Sequence, residues 1–266
     1  MGKDIGCQYQ TGESQTIIPS DYPPLTGATE VWKWGIAGGI LTSSIQADSY
    51  IASIVGTPGH QYGVAGTGNM SAIYWGNSGS LNSNHTAPGN AGGQSSGPVN
   101  ANMKMGSSDF QFKFLLKTIS NPQAAYYIMD YDAQDTVATF TPGIQFYYST
   151  AGFYAPGSFA VLLSDGPTNQ TVWYAPVPAG FGYNDNNWVY LEWFFNRSLA
   201  NPYCKMNGQF KTVIKSSGID LSAYGAINPT NGIRFACKEV DDVNALRADM
   251  QMCAATYAKN LTYTWA

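Results

Sequence analysis

Charge is scarce in this sequence. Only 11% of its 266 residues are Asp, Glu, Lys or Arg, less than half the usual share. The polar exterior must therefore be built from Asn, Gln, Ser, Thr and Gly. No basic run occurs and the formal net charge is −4, which excludes nucleic-acid binding driven by phosphate neutralisation. Histidine is limited to His60 and His85. With no G-x-S-x-G turn either, a Ser-His-Asp hydrolase is not expected. The four cysteines, Cys7, Cys204, Cys237 and Cys253, are far apart and form no C-x-x-C or Cys/His cluster, so no zinc site is expected. All four are expected as free thiols. Cys204, Cys237 and Cys253 lie in strand-like runs and suit core positions, and a disulfide among them is left open. No apolar run reaches the roughly 18 residues of a membrane-spanning helix. The opening MGKDIGCQYQTGESQ lacks the apolar core of a signal peptide. Gly6 stands where a myristoylation pattern wants Ser or Thr. The expectation is a protein not exported by the usual secretory route.

Apolar and aromatic residues are plentiful, at 44% and 14%. That is the opposite of the disordered signature and is enough for a large core. The length permits one large all-β domain or two small ones.

The run WVYLEWFFNRSLANPYCKMNGQF, residues 188 to 210, shows how that material is used. Val189, Leu191, Trp193 and Phe195 fall on one side of a strand and Trp188, Tyr190, Glu192 and Phe194 on the other. Tyr203 to Met206 is a second strand. Asn207-Gly208 supplies the positive φ values of a tight hairpin, and Gln209 to Ile214 is the returning strand. In DFQFKFLLKTI, residues 109 to 119, Phe110, Phe112, Phe114 and Leu116 oppose Gln111 and Lys113. Further strands are predicted at 30–36, 40–46, 50–55, 72–75, 125–130, 136–140, 144–148, 158–164, 171–175 and 232–238. The segment 244–258 has some helix propensity, but Ala248, Met250, Met252 and Ala254 alternate with polar neighbours. The reading is a strand from near Leu246.

The domain reading is an extended arm over 1–29 and one β-sandwich over 30–266. Within it, 56–108 is a Gly/Asn/Ser-rich, loop-rich insertion, and residues 56–97 hold eleven glycines. At least a dozen short strands without a convincing helix argue for two stacked antiparallel sheets.

The strand opening on Trp188, the strand ending in Asn207-Gly208, the Asn231-Gly232-Ile233-Arg234-Phe235 strand and the closing Ala248-Asp249-Met250-Gln251-Met252 together resemble the concanavalin A-like lectin/glucanase jelly roll. The laminin-G-like branch is included. The resemblance covers roughly residues 109–258. It implies an all-β, two-sheet antiparallel jelly-roll sandwich and a binding role, not catalysis. The glucanase E-x-D-x-x-E triplet is missing, and Asp130-Tyr131-Asp132-Ala133-Gln134-Asp135 is the nearest acid cluster. The Arg/Gln/His/Tyr group of the alginate-lyase branch has no counterpart around His60 or His85.

Individual motifs weigh little. Asp130, Asp132 and Asp135 offer close oxygens for calcium, as does Asp241-Asp242, but a solvated turn is the expected role. Gly63 to Gly68 lacks the Lys-Ser/Thr of a phosphate loop. The sequons at Asn69, Asn84, Asn169, Asn196 and Asn260 are near chance. The residues selected for glycan or partner contact are Tyr154, Trp173, Tyr174, Tyr183, Asn184 and Asp185. No catalytic residue, cofactor or metal is expected. Composition and the absent export signal point to a non-enzymatic virion protein of a tailed bacterial virus, in capsid decoration or a tail fibre or spike. It would contact copies of itself and other virion proteins. The alternative is a lectin or carbohydrate-binding module recognising a cell-surface glycan.

Overall fold

Strong strand formers dominate the described residues and leave helices no foothold among them. The computed structural model describes residues 30–37, 40–43, 52–55, 59–61, 72–75, 92–95, 104–118, 125–136, 139–149, 156–177, 188–230, 233–235 and 250–259. The expected arm over 1–29 lies outside them.

In chain order the strands are β1 (Glu30–Ala37), β2 (Ile40–Ser43), β3 (Ala52–Val55), β4 (Gly59–Gln61), β5 (Ala72–Trp75) and β6 (Gly92–Ser95). Then follow β7 (Phe110–Thr118), β8 (Ala125–Tyr131), β9 (Gln134–Thr136), β10 (Thr139–Phe140), β11 (Pro142–Ser149), β12 (Ser158–Asp165) and β13 (Gln170–Pro176). The last are β14 (Trp188–Phe195), β15 (Tyr203–Met206), β16 (Gln209–Lys211), β17 (Ile214–Ser217), β18 (Ile233–Phe235) and β19 (Met250–Lys259). Among the described residues the only helical turn is a 3-10 turn at Leu221–Ala223.

Two antiparallel sheets form. One has nine strands in the order β16-β15-β14-β7-β19-β1-β2, with β5 also pairing β19 and β4 pairing β5. The other has eight, β17-β13-β12-β11-β8-β18-β6-β3. The stretch expected as a loop-rich insertion supplies β4 and β5 to the first sheet and β6 to the second.

The inner faces carry the core. Phe110, Phe112, Phe114 and Leu116 of β7 meet Val189, Leu191, Trp193 and Phe195 of β14, all buried, as the alternation predicts. From the opposite sheet come Ile144, Phe146, Phe159, Val161, Leu163 and Trp173. Phe146 sits with its ring centroid 5.1 Å from both Phe112 and Phe114, joining the sheets. Fully burying each such ring contributes about 1.5–3 kcal/mol. Cys204 is a buried free thiol in this core. Desolvation is the main cause that pushes its pKa well above the ordinary thiol value.

Three predictions need correcting. The final strand is described from Met250, the predicted start near Leu246 lying outside the described residues, and its phase changes at Cys253. Met252 pairs with Leu116 and Ala254 with Leu115, so one residue bulges out. The expected alternation therefore breaks between Met252 and Ala254, Ala248 lying outside the described residues, and beyond the bulge Tyr257 takes the core position opposite Phe112. A bulge has this effect because it places two residues against one. The returning strand predicted over 209–214 stops at Lys211. The chain then crosses to the other sheet, where Ile214 starts β17 beside β13. The single strand predicted over 136–140 is a small hairpin of β9 and β10.

Candidate functional site

The β14–β15 connection is tied down on all sides. Asn196 Oδ1 accepts from the Ser198 backbone N–H at 3.0 Å and from its hydroxyl at 2.6 Å. The Arg197 N–H donates to Asp109 Oδ1 at 2.7 Å. The Arg197 guanidinium donates to the carbonyls of Tyr224 and Gly225, both at 2.7 Å. Partial burial lowers the Arg197 pKa, with Asp109 opposing the shift. Asn201 Oδ1 accepts from Trp173 Nε1 at 3.0 Å, bracing this connection against the second sheet. Backbone bonds from Leu221 to Ala200 and from Ser222 to Leu199, each 2.8 Å, dock the 3-10 turn on it.

β15 leaves this braced turn with Cys204 and Met206 pointing into the core. Alternation then puts Tyr203 and Lys205 on the outer face. The Asn207-Gly208 hairpin forms as predicted, with φ of 50° and 77°. Asn207 Oδ1 also accepts the Tyr190 N–H at 2.8 Å. The hairpin returns Phe210 directly opposite Lys205.

An aromatic ladder results. Phe194 stacks on Tyr203 with centroids 6.3 Å apart, and Tyr203 meets Phe210 edge-on at 6.2 Å. Exposure rises along it, from 1% at Phe194 to 39% at Tyr203 and 50% at Phe210, so the last two rings offer faces to a partner. Lys205 Nζ lies 4.3 Å from the Phe210 centroid, a cation–π contact. Directly across from Lys205 on β14, Glu192 Oε2 accepts from Gln111 Nε2 at 3.1 Å and pairs with Lys113 Nζ at 3.7 Å. Lys205 has a lowered pKa because burial outweighs the opposing pull of Glu192.

Ile214 is 39% exposed and starts β17 just beyond β16. Tyr203, Phe210 and Ile214 are the exposed large hydrophobic residues among the described residues. Tyr203 and Phe210 share the outer face of the nine-stranded sheet at its β16 edge, whereas Ile214 pairs with Tyr174 on the outer face of the other sheet. Flat rings beside an ammonium group suit non-covalent recognition. They can stack on sugar C–H bonds or cover an apolar group, while the amine donates to an oxygen.

The residues selected from sequence fall elsewhere. Trp173 is fully buried, with its N–H held by Asn201, so it presents no face to a ligand. Tyr174 packs half-buried against Tyr147, Leu162 and Val172 on the outer face of the eight-stranded sheet, and it lies opposite Ile214 in register. Tyr154, Tyr183, Asn184 and Asp185 lie outside the described residues. Asp130 and Asp132 are not in a solvated turn, because both are fully buried. Asp130 Oδ1 accepts from the Ala133 N–H at 3.2 Å and from Gln145 Nε2 at 3.4 Å. Asp132 Oδ2 accepts from the Thr230 N–H at 2.6 Å and its hydroxyl at 2.9 Å. Among the described residues, no group of three or more His, Cys, Asp or Glu side chains could hold a metal ion. Tyr203, Lys205 and Phe210 were missed. The signal for two of them was present, since an inward Cys204 and Met206 force Tyr203 and Lys205 outward.

No protein-family model matches the chain, and no curated protein matches it. Solved structures do. The binding domain of Paraclostridial Mosquitocidal Protein 1 is 9% identical over 87% of this chain and 49% of that one, with a TM-score of 0.60. The binding domain of botulinum neurotoxin DC in complex with rat synaptotagmin II is 16% identical over 88% of this chain and 48% of that one, at 0.53. Botulinum neurotoxin type C, whose cell entry is dependent upon interaction with two ganglioside molecules, is 15% identical over 87% and 48%, also at 0.53. The likeness is one of fold. This chain spans about half the length of those domains.

Proposed function

We propose that this chain is a non-catalytic recognition module that binds a cell-surface glycan through the corner formed by Tyr203, Lys205 and Phe210. One observation carries the reading: two of the three exposed large hydrophobic side chains of the described residues, Tyr203 and Phe210, meet edge-on at 6.2 Å, with a lysine laid against the outer ring. Scattered single exposures are ordinary on a protein surface, whereas a clustered aromatic set marks a contact site. The sandwich likeness to the binding domain of Paraclostridial Mosquitocidal Protein 1 and to botulinum neurotoxin type C, whose cell entry depends on gangliosides, supports the same direction. The reading of a virion structural protein rests on composition and has no geometric observation of its own.

The test is a glycan array with the purified chain, followed by calorimetric titration of the best ligand into Tyr203→Ala and Phe210→Ala. Each substitution should weaken binding about tenfold, the equivalent of about 1.4 kcal/mol. Thermal midpoints should stay near the parent's, because neither ring belongs to the buried core. Unchanged affinity in the double variant would remove this surface from consideration.

A further inference from the structure

We infer that this corner holds one pyranose residue at a time, so that it recognises a chain end or a short branch and not the length of a polysaccharide. The inference rests on the reading that the corner binds a glycan, and adds the form in which that glycan is presented.

The angle between the rings carries it. Tyr203 and Phe210 lie 6.2 Å apart, with their planes 69° from parallel. A flat chain, or the planar surface of a crystalline polysaccharide, is gripped by rings that share a plane, each beneath its own sugar. Here the edge of one ring meets the face of the other, so the two cannot lie under neighbouring sugars of one flat chain. The Lys205 ammonium, 4.3 Å from the Phe210 centroid, takes up a face of that ring as well. The result is a notch. One aromatic face is offered to the C–H side of a single sugar, and the second ring stands across it as a wall.

The borders of the notch agree. Phe194 lies within 12° of the Tyr203 plane and would continue a platform inward, but it is buried. Gln111, next across the sheet from Phe194, is buried too. In the adjoining row, Lys113 and Glu192 are joined to each other. Outward, β16 is the last strand of its sheet. Lengthwise, β15 has four residues and β16 has three, and the Asn207-Gly208 hairpin closes one end. Ile214 belongs to the other sheet. Among the described residues, then, no third exposed ring extends the corner for a second sugar.

Charge adds no competing selection. Lys205 lies across from Glu192 in the β14–β15 register and against Phe210 on its other side. Its charge is already compensated within the sheet, and shape decides what fits.

The experiment is calorimetric titration of the full chain with three β-linked series, of glucose, galactose and N-acetylglucosamine. Each is supplied as the methyl glycoside, the tetrasaccharide and a longer soluble oligomer. Parallel depletion assays use suspended microcrystalline cellulose and chitin. In a series that binds, the tetrasaccharide should be favoured over the methyl glycoside by less than about threefold. The longer oligomer should hold no more protein molecules per chain than the tetrasaccharide, and the suspended solids should leave the protein in solution. Phe210→Ala removes the wall and should raise the ratio of tetrasaccharide to methyl-glycoside affinity, with thermal midpoints confirming the fold. Four outcomes would overturn the single-residue notch and leave the glycan reading standing: affinity climbing about tenfold or more with chain length, protein bound per chain rising with length, adsorption to either solid, or an unchanged ratio in Phe210→Ala. Failure of every sugar would overturn both.

Discussion

Asn201 and Trp173 show how much a single side chain decides. Trp173 is fully buried in the second sheet, and its one polar atom donates to Asn201 Oδ1 from the β14–β15 connection. Removing a partner from a buried donor costs about 1–3 kcal/mol. Asn201→Ala should lower unfolding free energy by that amount, read by urea denaturation, whereas Asn201→Asp keeps the acceptor and should cost less. An unchanged midpoint for Asn201→Ala would show that the bond contributes nothing. Trp173 is also where residue-level reading of the sequence failed. In β13, Thr171, Val172, Trp173 and Ala175 are all buried. With both faces covered, alternation carries no information on which ring is free. At the β15 edge one face is open, so the outward phase of Tyr203 and Lys205 was legible in principle.

At the level of elements, strands were legible where local chemistry set them. β5, β14 and β15 coincide with their predicted bounds, and Asn207-Gly208 turns where the two positive φ values demand. What local pattern does not encode is a change of phase or of sheet. The bulge at Cys253 answers to the partner strand β7, and the departure of the chain after Lys211 answers to β13, which lies far away in sequence. Close approach of backbones is equally silent. Gly143 in β11 looks like an ordinary strand glycine. Yet a Cβ there would stand 2.1 Å from the Tyr131 carbonyl oxygen and 2.5 Å from the Ala133 nitrogen. Both contacts are with backbone, which cannot swing aside. Gly143→Ala should therefore destabilise by about 1–3 kcal/mol or more, the usual cost of overpacking, and displace the β8–β9 turn that buries Asp130 and Asp132. Thermal melts check this, and a stabilised variant would refute it.

Across the whole molecule, the two-sheet architecture followed from the missing helical periodicity and the abundance of aromatic alternation. Strand order did not, because the central pairings are nonlocal: β7 lies between β14 and β19, both much later in the chain. One core spans both sheets through Phe146 and its neighbours Phe112 and Phe114. Such a core predicts one cooperative transition. Denaturation followed by far-UV circular dichroism and by intrinsic fluorescence should give coincident midpoints, while separated midpoints would mean that the sheets unfold independently.

The crossing between Lys211 and Ile214 has a mechanical side. β16 is hydrogen-bonded to the border of one sheet and β17 to the border of the other, with Thr212 and Val213 as the only link. An anchor gripping Phe210 therefore pulls on two ladders, not one. Tension applied there spreads into both layers of the sandwich, so peeling β16 away does not by itself release the chain from the fold.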